Sequence, residues 1–287
     1  MIHSHIQPSI RVLCSSGTFS RHSDFTDHYR ILENGPGLPV DGLEVMFYEQ
    51  WYSWYEEIAS ELVALGMTFP VVHAEKDIGP ALGKTDRAGL DKAFGWFDAN
   101  CHFASLIGAG VVVLHLWGHP ESDTFFERNL SAVSTLVDIA LRHGVALAVE
   151  TIPCTVGDPL TRIEQVLERD PRCCFTLDTE FLALHKEIEA ALAADWLWQK
   201  GRVAHIHIKD FDGHMHDAEG RRHYVHPCEG NIDFDRFFAG LKAREYNGTV
   251  SLESPVISRD GSLDIPRLRR SLTLVNAMVA EAYKKET

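Results

Sequence analysis

Eight short strand-like segments, rich in apolar residues, recur along the chain, and longer segments with helical periodicity lie between them. The strand-like segments are residues 10–16, 42–48, 69–75, 111–117, 145–152, 173–179, 203–210 and 249–254. Helices are predicted at 49–65, 86–107, 121–143, 159–169, 186–199, 233–245 and 264–284, whereas the first connection, 18–40, is mostly loop-like. This regular alternation is typical of βα units around a parallel sheet.

Eight βα units in 287 residues predict an α/β protein with a single (β/α)8 TIM barrel. A doubly wound open sheet is the alternative, but it usually has a glycine-rich phosphate turn after an early strand, and residues 14–17 do not form one. No linker or low-complexity tract interrupts the pattern. We therefore expect one domain over residues 1–287.

Four of the predicted strands end in residues that can bind a metal ion: Glu150, Asp178, His207 and Glu253. Side chains two positions apart share a face of a strand, so Glu150 lies opposite the apolar face formed by Val145, Leu147 and Val149. The same parity holds at the other three ends. It also directs Glu44, His73 and His115 toward the mouth of the barrel, where active sites of this fold lie.

Three carboxylates close together would raise one another's pKa unless a cation compensated them. Three carboxylates with one imidazole suit a single divalent ion, Mn²⁺ first, with Mg²⁺, Co²⁺ or Zn²⁺ as alternatives. The open positions of such an ion bind a carbonyl and a neighbouring hydroxyl. Glu150 and Glu253 would then remove and return a proton through a metal-bound enediolate.

Composition narrows the choice of partners. The net charge is −14, with 27 basic and 41 acidic residues, which argues against nucleic acid as the main partner. The six cysteines have no C-x-x-C spacing and are expected to be buried, reduced thiols. No long uncharged apolar stretch and no secretory pattern at residues 1–9 are evident, so we expect no membrane contact and a cytoplasmic location.

Short motifs in a consistent order resemble the xylose isomerase-like TIM-barrel superfamily, the sugar phosphate isomerase/epimerase group. They are DGLEV at 41–45, VVHAE at 71–75, VVVLH at 111–115, AVET at 148–151, TLDT at 176–179, HIHIKD at 205–210, HPCEGNIDF at 226–234 and SLES at 251–254. The group includes ketose 3-epimerases, hydroxypyruvate isomerase and inosose dehydratase. The resemblance implies that Glu150, Asp178, His207 and Glu253 bind the metal, and that Glu150 and Glu253 are the acid/base pair.

The candidate substrate contacts are His73, His115, Glu44, Trp117, Lys209 and His226. The resemblance implies that His73 holds the sugar and that His226 takes the place of a substrate-contacting Arg or His. Trp117 is expected to pack against the apolar face of the sugar. Lys209 either forms a structural ion pair with Asp210 or lies near the substrate. No cluster of Arg and Lys marks a phosphate site, which favours an unphosphorylated sugar or cyclic polyol.

One departure from the family concerns residue 181. Many relatives have a histidine three residues after the strand-six aspartate, where this chain has Phe181, and His185 is a turn later. This difference leaves the subclass open. The segment 211–230 contains His214, His216, His223 and His226 and is expected to be a solvated lid over the mouth, with a substrate-binding or second metal-binding loop as the alternative.

A metal-dependent sugar isomerase/epimerase is the leading interpretation. An inosose-type dehydratase of the same superfamily is an alternative, because both reactions begin with the same proton abstraction. An endonuclease IV-like abasic-site nuclease uses positions like His73, His115, Glu150, Asp178, His207 and Glu253, but the acidic composition and Phe181 argue against it. A metal-binding protein without activity is a third class. Helix-borne tryptophans suggest a homo-oligomer, a dimer or tetramer.

Overall fold

The computed structural model describes residues 10–20, 26–84 and 87–284 and contains a closed barrel of eight parallel strands in sequence order. The strands are β1 (Arg11–Ser15), β2 (Gly42–Met46), β3 (Val71–His73), β4 (Val111–Leu114), β5 (Ala146–Glu150), β6 (Cys174–Asp178), β7 (Val203–Ile208) and β8 (Thr249–Leu252). Each lies within a predicted segment. The prediction of a (β/α)8 barrel is therefore confirmed. Residues 1–9, which bear on a secretory leader, lie outside the described part.

The helices surround the barrel and differ from the prediction mainly where one predicted helix is divided. They are α1 (Tyr29–Asn34), α2 (Tyr55–Ala64), α3 (Ile78–Lys84), α4 (Arg87–Leu106), α5 (Phe126–Arg142), α6 (Pro159–Arg169), α7 (Thr179–Leu184), α8 (Ile188–Ala193), α9 (Asp195–Trp198), α10 (Phe234–Ala243) and α11 (Ile265–Ala282). Short α3 and α7, each beginning soon after a strand, were missed because helices this short give little periodic signal. No helix of the described residues is both long and apolar enough to cross a membrane.

The two faces of the strands carry different side chains, as parity predicts. The outward residues Val145, Leu147 and Val149 of β5 belong to the large core between the sheet and the helices. Inside the barrel, Leu13 and Val113 belong to a small separate apolar cluster. The interior also contains buried polar and charged groups, so the barrel holds the ionisable residues away from the apolar packing on its outside.

The loop from β7 to α10 is held in place by Asp210. Its carboxylate accepts hydrogen bonds from the backbone N–H groups of Gly230 at 2.9 Å and Ile232 at 3.0 Å. A Cβ at position 230 would lie 2.4 Å from Asp210 Oδ1, so this close approach requires glycine. The predicted Lys209–Asp210 ion pair is wrong, because Asp210 faces this turn whereas Lys209 points into the barrel mouth.

A second close approach brings α3 against the end of β4. Gly79 lies so near the backbone after β4 that an added Cβ would be 2.1 Å from the carbonyl oxygen of His115. Asn129 of α5 reinforces this contact, since its side-chain amide donates to the Gly79 carbonyl at 2.7 Å. The position of His115 therefore depends on the absence of a side chain at residue 79.

We expect Gly79→Ala to destabilise the fold by about 1–3 kcal/mol, because the rigid backbone at His115 must move to admit a methyl group. Gly95→Ala is the matched control: Gly95 lies within α4, with no atom within 4 Å of an added Cβ, and should gain up to about 1 kcal/mol. Thermal unfolding of both variants tests this. Equal melting temperatures would contradict it.

Candidate active site

Four buried side chains meet inside the carboxyl end of the barrel. Glu150 ends β5, Asp178 ends β6, His207 lies near the end of β7, and Glu253 directly follows β8. One potential ligand atom from each lies within 4.8 Å of the other three, and no side chain of the four is more than 2% exposed. Three oxygens and one nitrogen at such spacing match the donor set of a divalent metal ion. The structure thus brings together all four predicted ligands.

His207 lies between two carboxylates. Its Nδ1 is 2.9 Å from Glu150 Oε1, and its Nε2 is 2.9 Å from Glu44 Oε1. Although burial alone would lower it, the pKa of His207 is raised well above its ordinary value by Glu44 and Glu150. The protonated ring compensates both carboxylates. Donation from Nε2 to Glu44 leaves Nδ1 as the nitrogen that faces the other ligands, so Glu44 orients the ring for metal binding.

The two carboxylate oxygens of Asp178 have different partners. Its Oδ1 accepts the backbone N–H groups of Glu180 at 2.9 Å and Phe181 at 3.2 Å, which caps the start of α7. Its Oδ2 points to the site and lies 2.7 Å from Lys209 Nζ. The helix cap fixes the rotation of the carboxylate, because turning Oδ1 away would leave two N–H groups without their acceptor.

Lys209 is a buried cation among these carboxylates. Its Nζ is 2.6 Å from Glu253 Oε2 and 3.7 Å from Glu180 Oε2, and it lies 4.5 Å from the centre of the Phe181 ring. Burial opposes the charge, but Asp178, Glu253 and Glu180 hold the pKa of Lys209 above its ordinary value. Lys209 therefore supplies positive charge to the same oxygens that a metal ion would use.

Two imidazoles contact the other oxygen of Glu150. His115 Nε2 is 2.8 Å and His73 Nε2 is 3.2 Å from Glu150 Oε2, while His73 Nδ1 donates to the carbonyl of Ala74. Burial lowers the pKa of His115 to about 4, so this ring is neutral at neutral pH. His73, His115 and Glu150 are themselves near enough to hold an ion, as are Glu44, His205 and His207. Both sets share a member with the four-residue site.

A cavity of about 180 Å³ lies directly over Glu150 and Glu253. Its other lining residues are Lys76, His115, Phe181, Lys209, Arg222 and Tyr224. Lys76, Arg222 and Tyr224 also line a larger outer cavity of about 760 Å³, so the two spaces adjoin. Lys76 and Tyr224 were not predicted from sequence. Both lie in loops, where alternation no longer indicates direction, and only the unusual 211–230 segment drew attention to Tyr224.

The predicted substrate contacts divide into three groups. His115 and Lys209 line the inner cavity, as expected of substrate contacts. Glu44 and His73 are fully buried, contact His207 and Glu150 respectively and are not among the lining residues of the inner cavity, so their role as substrate contacts stays a prediction. Strand parity gives the face of a side chain but not its depth along the barrel.

Trp117 and His226 are buried and are not among the lining residues of the inner cavity, so their substrate contacts also stay predictions. Trp117 is 1% exposed, packs 5.4 Å from Phe126 between ring centres, and donates from its indole N–H to the carbonyl of Pro153 at 3.2 Å. His226 is 1% exposed and lies 2.8 Å from Ser271 Oγ and 3.2 Å from the carbonyl of Pro255. Both side chains stabilise the packing around the barrel.

Phe181 stands at the position where the sequence resemblance implies a histidine. Phe181 lies in the cavity wall, where its ring contacts the Lys209 ammonium group. His185 does not replace the missing histidine, because its Nε2 accepts the backbone N–H of Cys154 at 3.2 Å. The cavity wall therefore has an aromatic ring at this position.

A sequence profile of the xylose isomerase-like TIM barrel matches residues 36–273. The chain belongs to this family. A curated relative, the uncharacterized protein MJ1311 of Methanocaldococcus jannaschii, is 29% identical over 188 residues. That match spans 61% of the relative's length and 61% of this chain.

Solved structures show the same xylose isomerase-like fold. An L-ribulose 3-epimerase aligns with a TM-score of 0.72 at 17% identity, over 95% of both chains. A D-allulose 3-epimerase from Methylomonas sp., in complex with D-allulose, aligns with a TM-score of 0.66 at 17% identity, over 96% of this chain and 95% of that one. A 3-keto-D-glucoside 4-epimerase from E. coli gives 0.66 at 16% identity, over 93% and 99%.

We expect Glu44→Gln to weaken Mn²⁺ binding about 10- to 100-fold, because His207 loses the carboxylate that orients it. Titration calorimetry on chelator-treated protein measures the change. Glu61→Gln, which removes a half-exposed carboxylate bound to His28, is the control and should bind Mn²⁺ normally. An unchanged Kd in Glu44→Gln would show that the hydrogen bond has no part in metal binding.

We expect Lys209→Met to lower the stability of the chelator-treated protein by about 3–5 kcal/mol, since Asp178 and Glu253 lose a buried partner. Added Mn²⁺ should raise the melting temperature more than in the original protein, because the ion supplies the missing charge. Lys84→Met, at a side chain 61% exposed, is the control. A smaller Mn²⁺-induced rise in Lys209→Met would contradict compensation by Lys209.

Proposed function

We propose that this protein is a divalent-metal-dependent sugar isomerase or epimerase that moves a proton at a carbon next to a carbonyl group. The observation that carries the proposal is the position of Glu150 and Glu253, which belong to the four-residue metal site and also line the cavity above it. Two carboxylates that face one small cavity can exchange protons with the same substrate.

Glu150, Asp178, His207 and Glu253 are the residues that would hold the ion, with Mn²⁺ as the first choice and Mg²⁺, Co²⁺ or Zn²⁺ as alternatives. When bound, a divalent ion would polarise the carbonyl and acidify the neighbouring C–H bond. The site fits a divalent ion, because Glu150, Asp178 and Glu253 bring three buried carboxylates close together and His207 and Lys209 already contact them as cations.

The protein's own groups orient the two carboxylates differently. His73 and His115 contact Oε2 of Glu150, while Lys209 binds Oε2 of Glu253. Although burial would raise it, the pKa of Glu150 is held well below its ordinary value by His207 and His115, which keeps Glu150 ionised as a base. Phe181 and Tyr224 contribute aromatic rings to the cavity wall.

Isomerisation, epimerisation and inosose-type dehydration share this first proton abstraction, and an isomerase or epimerase is the proposal we favour. The supporting comparison is with solved 3- and 4-epimerases, whose fold this chain shares. A small-molecule sugar is the proposed substrate. The cytoplasmic location and the homo-oligomer remain predictions.

A second candidate is an endonuclease IV-like nuclease, favoured by one observation. His73, His115 and Glu150 form an ion-binding set next to the four-residue site. Phe181 and the net charge of −14 are unfavourable for a duplex-binding enzyme. Cleavage of an abasic-site duplex by the Mn²⁺-loaded protein would support this candidate.

The test is deuterium incorporation, followed by NMR, into a panel of ketoses and inososes incubated with the Mn²⁺-loaded protein in D₂O. We expect label at the carbon beside the carbonyl, and the labelled carbon identifies the reaction. Glu150→Gln and Glu253→Gln should each slow incorporation at least about 100-fold, because each loses a proton acceptor.

Glu229→Gln is the matched control for these variants. Glu229 lies on the loop after β7, and its exposed carboxylate binds Arg267 of α11. This variant should incorporate deuterium at the original rate. Metal content by elemental analysis separates loss of the ion from loss of the base. Full activity in either Glu150→Gln or Glu253→Gln would disprove the assigned roles.

A further inference from the structure

The outer cavity is basic, although the chain as a whole is acidic. The chain has 41 acidic and 27 basic residues, yet the basic residues Lys76, Arg221, Arg222 and Arg259 line this cavity with a single acidic residue, Asp217. The four basic residues come from three different loops, after β3, β7 and β8. Their convergence is a property of the fold and is not visible as a basic run in the sequence.

Asp217 does not neutralise the whole set. Its carboxylate pairs with Arg221 at 2.5 Å and also accepts the backbone N–H groups of Glu219 and Arg221. Arg221 pairs with Glu219 as well. These contacts balance Arg221 within its own turn. Outside this turn, Lys76, Arg222 and Arg259 are the other basic residues in the cavity lining, so basic residues outnumber acidic ones there by four to one.

Arg222 is held in place at the junction of the two cavities. Its Nη1 donates to the carbonyls of Met215 and His223, and its guanidinium carbon is 4.2 Å from the centre of the Tyr224 ring. Its Nη2 is 2.5 Å from Glu180 Oε2. A guanidinium group fixed in this way loses little further freedom when it binds an anion, which favours tight binding.

Glu180 is shared between two cations. It binds Arg222 and lies 3.7 Å from Lys209. In the proposed enzyme, Asp178 and Glu253 bind the metal ion, so one carboxylate then faces both Lys209 and Arg222. Lys76, which lines both cavities, adds a third basic side chain between the inner floor and the outer opening.

We infer that the outer cavity binds an anionic group of the substrate, a carboxylate or a phosphate, while the carbonyl end of the same molecule lies over Glu150 and Glu253. The substrate class is thus a sugar acid or a sugar phosphate. This inference rests on the proposed function and replaces the neutral sugar expected from the sequence. The outer cavity of about 760 Å³ is large enough for a charged group and its neighbouring carbons.

Binding of three probes to the Mn²⁺-loaded protein tests the inference. Titration calorimetry compares D-fructose 6-phosphate, 5-keto-D-gluconate and D-fructose at fixed ionic strength. At least one anionic probe should bind about tenfold more tightly than fructose or better, as expected for a charge-assisted contact. The two anionic arms distinguish phosphate from carboxylate. Equal affinity for all three probes would overturn the inference.

Two variants locate the anion. The double variant Lys76→Met/Arg259→Met should weaken the favoured anionic probe about tenfold more than it weakens fructose, since both exposed side chains carry the positive charge that the anion would meet. Arg222→Lys retains the charge near Glu180 but loses the fork of donors and should weaken the same probe. Arg236→Met, at a surface pair with Glu189, is the control. Unchanged anion binding in the double variant would overturn the inference.

The deuterium experiment separates this inference from the proposed function. For this purpose the deuterium panel is extended to sugar acids and sugar phosphates. If anionic probes bind through Lys76 and Arg259 but no deuterium is incorporated, the anion site is supported and the proposed chemistry is refuted. Incorporation into neutral ketoses, with no preference for anionic probes in binding, would keep the chemistry and refute the anion site.

Discussion

The buried charge inside the barrel is the constraint on which the rest of the site depends. Glu150, Asp178 and Glu253 have carboxylate oxygens within 4.8 Å of one another, Glu44 lies on the other side of His207, and each of the four is at most 2% exposed. Uncompensated, such a group of carboxylates would be far too costly to bury. His207 contacts two of them and Lys209 the other two. These two cations make the arrangement compatible with a folded barrel.

Depth along the barrel assigns the role of each ionisable residue. Glu44 and His205 lie below the ligand layer, the four candidate ligands form that layer, and Lys209, His115 and Arg222 line the space above it. A residue in the lowest layer acts through its neighbour, as Glu44 does through His207. A residue in the highest layer can touch the substrate. The role of an ionisable side chain thus depends on its depth along the barrel.

Strand parity and chain order were enough to predict the barrel and the convergence of Glu150, Asp178, His207 and Glu253, because alternation determines which face of a strand a side chain occupies. They were not enough for Glu44 and His73, whose depth depends on strand register around the closed barrel. They did not reveal that Trp117 and His226 are buried in the packing around the barrel, because both residues follow strands or lie in loops, where packing against α5 and α11 determines direction. Lys76 and Tyr224 gave no periodic signal.

The contact of Glu180 with both Lys209 and Arg222 joins the strand-borne floor to the long loop after β7. The loop is held elsewhere by Asp210 and His226, so its remaining residues can change without disturbing the carboxylates below. Over evolutionary time, this division would allow substrate preference to diverge in residues 211–230 while the proton chemistry of the barrel stayed the same. A change at Glu180 would be the first to alter the surroundings of Lys209 and, through it, of the candidate catalytic residues.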